Sequence, residues 1–219
     1  ETLSTLLDGS YNDSADDQKT KGGGNTSTPL SYVGITGSTK YVAEQGTWQV
    51  SNGSDGWIDV PTSGLDADNT IVVSASRKIR FDPDGDFHGT PELDVRLADS
   101  NSTDTISESV DANDGKDLSS KGGTDQTGSW SADNVTIRIS VTNENDPPSA
   151  TGNATLQPPV KEDATDPTNR TVANLFEDVF SDSTDDQTDI TGGDDNSTSL
   201  GGIAIVNNTA NDSTEGNWQ

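Results

Sequence analysis

Bulky apolar residues are scarce in this chain, and they gather in short runs with a period of two. Val135, Ile137, Ile139 and Val141 alternate with Thr136, Arg138, Ser140 and Thr142. Leu93, Val95 and Leu97 alternate with Glu92, Asp94 and Arg96, and Ile79 and Phe81 with Lys78 and Arg80. Such a period puts one set on a buried sheet face and the other in water. Helical periodicity is nearly absent, so the chain is read as all-β. Composition alone points elsewhere. Leu, Ile, Val and Phe make up about 18 % of the 219 residues and the net charge is −26, the profile of a disordered chain. Phased strands between long polar loops give the same averages. Residues 100–127, mostly Ser, Thr, Asp, Asn and Gly with Ile106, Val110 and Leu118, stay open to either a mobile or an ordered loop.

Further strands are expected at 31–36, 70–74 and 200–206. Residues 47–51 and 57–60 flank Asn52-Gly53-Ser54-Asp55-Gly56, which predicts a hairpin with a five-residue loop. Residues 172–180 suit a short helix, a strand or a loop.

The chain resembles itself. Leu6-Leu7-Asp8-Gly9-Ser10-Tyr11-Asn12-Asp13-Ser14-Ala15-Asp16-Asp17-Gln18 matches Leu175-Phe176-Glu177-Asp178-Val179-Phe180-Ser181-Asp182-Ser183-Thr184-Asp185-Asp186-Gln187. Gly46-Thr47-Trp48-Gln49 matches Gly216-Asn217-Trp218-Gln219. A tandem repeat of about 170 residues follows. The expected organisation is one nearly complete β repeat over 1–146, a Pro-rich linker over 147–159, and the N-terminal part of the next repeat over 160–219. The chain reads as an excerpt of a longer array, or as a processed subunit whose partial copy completes a neighbour by strand donation.

The charge balance excludes several functions. Twelve Lys and Arg against 38 Asp and Glu cannot build the basic face that nucleic acid requires. No run of about 18 apolar residues spans a membrane. There is no Cys for a disulfide or thiolate site, and one His leaves little for a zinc site or a triad. His88 reads as structural, pairs among so many acids carry no glycosidase signal, and Gly22-Gly23-Gly24 lacks the context of a phosphate loop.

The acids do suit Ca²⁺, which takes six to eight hard oxygen ligands. Candidate ligands are Glu144, Asn145 and Asp146 at the linker, Glu162 and Asp163 across it, Asp99 after its strand, and Asp82, Asp84 and Asp86 around a Gly turn. The last three are a fragment of an EF-hand loop, since Leu93 holds the position where its bidentate Glu would stand. Ten Asn-x-Ser/Thr sequons, at Asn12, Asn25, Asn52, Asn101, Asn134, Asn153, Asn169, Asn196, Asn207 and Asn211, exceed what composition predicts and are candidate N-glycan acceptors. Trp48, Trp57, Trp130 and Trp218 are core anchors or, if exposed, platforms for sugar rings.

Val141-Thr142-Asn143-Glu144-Asn145-Asp146-Pro147-Pro148 resembles the inter-domain linker of cadherin-like repeats, where an Asn-Asp-x-Pro stretch helps hold Ca²⁺ between β-sandwich modules. It departs at Asn143, where cadherins usually place an acid. Glu162-Asp163 is similar to the early acidic pair of a following module. Residues 5–148, and again 160–219, resemble tandem repeats of giant microbial surface proteins and adhesins, in Gly46-Thr47-Trp48-Gln49, Trp57-Ile58-Asp59-Val60 and Lys78-Ile79-Arg80-Phe81-Asp82-Pro83. The resemblance implies an Ig-like or cadherin-like β-sandwich with long polar loops, an extracellular location and a stalk-like or adhesive role. Two functions are therefore expected: a Ca²⁺-stiffened, glycosylated structural module, or an adhesin module that binds a glycan or peptide. Neighbouring copies are the expected partners.

Overall fold

The computed structural model describes residues 1–25, 27–100, 108, 115–119, 129–210, 213–216 and 218. Ile106, Val110, Asn101 and Asn211 lie outside them. Among the described residues nine strands run in chain order: β1 (Tyr32–Gly37), β2 (Gly46–Ser51), β3 (Trp57–Asp59), β4 (Ile71–Ser74), β5 (Ile79–Pro83), β6 (Glu92–Ala98), β7 (Val135–Arg138), β8 (Ser149–Ala150) and β9 (Phe180–Ser181). Two short helices, α1 (Leu3–Leu6) and α2 (Val172–Phe176), accompany them. The chain forms two compact units. The first holds Glu1–Glu144 and Asp186–Asp195, and the second holds Asn145–Asp185 and Asn196–Gln219.

The first unit contains two antiparallel sheets, ordered β4-β1-β6-β7 and β3-β2-β5. Ser51 pairs with Trp57, so the predicted five-residue loop is present, and Asn52 Oδ1 accepts the Ser54 and Gly56 amides. The alternating residues share one core. Val33, Ile35, Leu93, Val95 and Leu97 come from the larger sheet, and Trp48, Val50 and Ile79 from the smaller. Leu3, Leu7, Tyr41 and Val60 join them. Each such side chain contributes about 1.5–3 kcal/mol when taken from water. Trp48 meets Phe81 edge-on at 5.1 Å. Tyr41 ties two chain segments together, donating its hydroxyl to Val60 O and accepting the Trp48 amide.

The opposite face of the larger sheet is also covered. Val72, Ala98, Leu118 and Trp130 form a second buried cluster there. Gly34, at the centre of β1, makes room for it: a Cβ would stand 2.9 Å from both Thr70 Cγ2 and Trp130 Cζ3. Arg96 lies on this face, 7 % exposed, and donates to Leu118 O and Ala132 O at 2.7 and 2.8 Å. Leu118 and Trp130 thus cover this face of the larger sheet.

The second unit is different. Asp185 is its one buried residue among those described. Ile203, Ile205 and Val206 are 46, 81 and 94 % exposed, and the strand expected at 200–206 is not formed. Its counterpart β1 pairs with β4 and β6, and no described segment supplies such partners for 200–206. Within residues 147–159, β8 pairs with β9. Residues 172–176 take the helical option.

Local structure recurs at the spacing noted in the sequence. α1 is capped by Thr2 Oγ1, which accepts the Thr5 amide, and α2 by Thr171 Oγ1, which accepts the Asn174 amide. A 3₁₀ turn at Ser14–Asp16 has its counterpart at Ser183–Asp185. A small hairpin closes on Asp17–Asn25, and another on Asp186–Asp195.

Candidate functional site

Two acidic groups lie on these recurring turns. In the first unit, Asp13, Asp16 and Asp99 each bring a carboxylate oxygen within 4.8 Å of the others. The 3₁₀ turn sets Asp13 and Asp16 side by side, and Asp99 follows β6. Asp13 Oδ2 accepts the Thr28 amide at 2.8 Å, which fixes its carboxylate. Tyr11 stands beside the group and donates to Thr28 O. Partial burial, then the charges of Asp13 and Asp99, push its hydroxyl up to about 12.

In the second unit Asp182 and Asp185 occupy the equivalent turn. Asp182 Oδ2 accepts both the amide and the hydroxyl of Thr198, as Asp13 does the amide of Thr28. Asp185 has no exposed surface. Its Oδ1 accepts the Asp146 amide at 3.2 Å, while Oδ2 has no hydrogen-bond partner among the described residues. A buried carboxylate oxygen without a donor is costly unless a cation meets it. The carboxylates in both places are hard oxygens, the kind that Ca²⁺ takes; among the described residues only Asp13, Asp16 and Asp99 bring three of them together.

The sequence-derived ligands are distributed differently from expectation. Asp99 joins Asp13 and Asp16 in the first unit, and Asp146 meets Asp185 in the second. Asn145 is exposed and its Nδ2 donates to Asp146 O. Glu144, Glu162 and Asp163 are exposed. Asp82, Asp84 and Asp86 are exposed on the turn after β5 and do not form a converging group; Asp84 Oδ1 instead accepts the Gly85 amide. Asp13, Asp16, Asp182 and Asp185 were not among the candidates read from the sequence. The available signal was the Asp-Ser-x-Asp pattern kept in both copies while the neighbouring loops drift.

A second feature is the course of residues 186–195, which belong to the first unit although the chain leaves that unit at Glu144. Thr90 N donates to Gly192 O at 2.8 Å, Asp194 N to His88 O at 3.3 Å, and Gly89 pairs with Gly193. Gln45, fully buried, accepts the Val42 amide and donates to Lys40 O and Thr191 O. Glycine is required at the contact: a Cβ on Gly89 would stand 2.1 Å from Gly192 O. His88 is 2 % exposed, and neither ring nitrogen has a hydrogen-bond partner among the described residues.

The eight described sequon asparagines, Asn12, Asn25, Asn52, Asn134, Asn153, Asn169, Asn196 and Asn207, are all exposed. Of the tryptophans, Trp48 and Trp130 are buried, Trp57 is partly exposed under the Arg80 guanidinium at 4.2 Å, and Trp218 is 74 % exposed. No helix of the described residues is long and apolar enough to cross a membrane. Comparison with protein families, curated proteins and solved structures gives no match.

Proposed function

We propose that this chain is a structural module of an extracellular tandem-repeat surface protein, of the stalk, filament or surface-layer kind, stiffened by Ca²⁺ where repeats meet. The observation that carries the reading is Asp185. It is a fully buried carboxylate, held by the amide of Asp146 in the Asn-Asp-Pro-Pro junction, with its second oxygen unpartnered. The unpartnered oxygen of Asp185 would meet the ion there, and Asp13, Asp16 and Asp99, whose carboxylate oxygens converge, would hold another. Bound Ca²⁺ supplies positive charge that neutralises these acids and fixes the segments bearing them. The recurrence of caps, turns and hairpins supports a tandem β-sandwich array, and the exposed sequons support a glycosylated surface.

Adhesive binding through aromatics draws less support, because Trp48 and Trp130 are buried and Trp57 is covered by Arg80, which leaves Trp218, 74 % exposed, of the four tryptophans. Catalysis draws none from His88, which is too buried to reach a substrate. Small-angle scattering with and without Ca²⁺ tests the proposal. Chelator should broaden the distribution of chain dimensions, and identical profiles would defeat the stiffening role.

A further inference from the structure

The hairpin at 186–195 has a twin that, among the described residues, makes no such main-chain contact with a sheet edge. In both hairpins an aspartate side chain accepts the amide two residues on: Lys19 N to Asp17 Oδ1 at 3.2 Å, and Thr188 N to Asp186 Oδ1 at 3.1 Å. In both a glutamine amide then crosses the loop, Gln18 N to Gly24 O and Gln187 N to Asp194 O, each at 3.0 Å. Gly22 and Gly192 share a left-handed backbone, with φ of 81° and 75°. The following glycine is sterically required in each: a Cβ on Gly23 would stand 2.7 Å from Gln18 Cβ, and one on Gly193 2.1 Å from Gln187 O. The second hairpin is one residue longer.

Their surroundings differ. Asp186–Asp195 is bonded to His88 and Thr90 through main-chain groups. Residues 19–25 are exposed, and a Cβ on Gly22 or Gly24 would meet no atom within 4 Å. Among the described residues, Gly22 O and Gly24 N, the counterparts of Gly192 O and Asp194 N, have no main-chain partner. Edge addition by main-chain bonds tolerates changes in side chains. The substitutions between the hairpins, such as Asp194 for Gly24, therefore leave the docking chemistry intact.

We propose that the Asp17–Asn25 hairpin is a docking element for the His88–Thr90 edge of another copy of this repeat. It would sit there as Asp186–Asp195 sits in this chain. The proposal rests on the tandem-module reading. In this chain the edge is already filled by its own hairpin, which competes at an effective concentration on the order of millimolar.

The test is sedimentation velocity on the full chain, in salt sufficient to screen its charge. Gly193→Val disables the returning hairpin and opens the edge. Its mass should rise with concentration from 22.9 kDa towards twice that value, while the unaltered chain stays at 22.9 kDa. Adding Gly23→Val should abolish the rise. Slow hydrogen exchange at Ile35 and Val95 reports that the first unit stays folded. If Gly193→Val unfolds it, Gly192→Ala, whose Cβ would crowd Thr90 O at 3.0 Å, replaces it. A folded single variant that remains monomeric at millimolar concentration overturns the proposal. So does association that survives in the double variant. The Ca²⁺ response in scattering tests the tandem reading separately, so either result can fail alone.

Discussion

Replacing Asp185 by Asn should reverse the order of stability between Ca²⁺ and chelator. Asp185 keeps one oxygen on the Asp146 amide at 3.2 Å, and the other is buried without a donor. A carboxylate so placed carries a desolvation penalty of several kcal/mol. The isosteric amide keeps the Asp146 bond and leaves only a neutral group unsatisfied, at about 1–3 kcal/mol. In chelator, Asp185→Asn should therefore stabilise the junction by roughly 2 kcal/mol. In Ca²⁺ at a hundred times its Kd the original chain gains about 2.7 kcal/mol and the variant gains nothing, so their order inverts. The second unit has no buried apolar side chain among its described residues, so local opening is the quantity to follow. Amide exchange at Asp146 and Asn196, which bond Asp185 Oδ1 and O, reports it. In chelator these amides should exchange about 30-fold more slowly in the variant, and Ca²⁺ should slow the original chain about 100-fold. Exchange indifferent to Ca²⁺, or equal in both chains in chelator, would refute the reasoning.

Three other outcomes are expected. Gly34→Ala should lower the stability of the first unit by about 1–3 kcal/mol in denaturant unfolding, because its methyl would overlap Thr70 and Trp130. Arg96→Met should cost about 3 kcal/mol, since two buried carbonyls, Leu118 O and Ala132 O, lose charged donors; Trp130 fluorescence should report the loosened layer. Tyr11 should ionise near 12 in ultraviolet titration, against 10.0 for the unperturbed group. Its folded-state value is raised, so its contribution to stability is present below pH 10 and lost as pH rises through 12. Ca²⁺ bound by Asp13, Asp16 and Asp99 should pull that value down, and a titration unchanged by Ca²⁺ would exclude an ion there.

The strands of the first unit were legible because a half-buried sheet writes a period of two into the chain, as at Leu93, Val95 and Leu97. The covering layer was not. It depends on Leu118 and Trp130 reaching Gly34 and Ala98 across sequence, with no periodicity to announce them. Residues 200–206 carry a strand's residues, but a strand also needs neighbours, and pattern alone does not supply them. At the acidic turns, Asp99 and Asp146 were singled out in the sequence because they end a strand and begin a junction. Asp13 and Asp185 were quoted only as markers of a repeat, since a carboxylate's burial is decided by what packs over it. The returning hairpin left no mark at all. Its contacts are main-chain bonds, which any sequence can make, apart from the glycines that permit the approach.

That hairpin also decides how the chain would carry load. Tension applied at the two ends enters the first unit and can leave through 186–195 while the hairpin holds, bypassing Asn145–Asp185. Main-chain bonds to His88 and Thr90 bear that force along with the Gln45 amide. When they part, roughly 40 residues come into the line of pull, on the order of 140 Å of extra length at full extension. Single-chain stretching should show a step of that size before the first unit opens, and its absence would rule this out. The module would then yield by lengthening while its core stays closed.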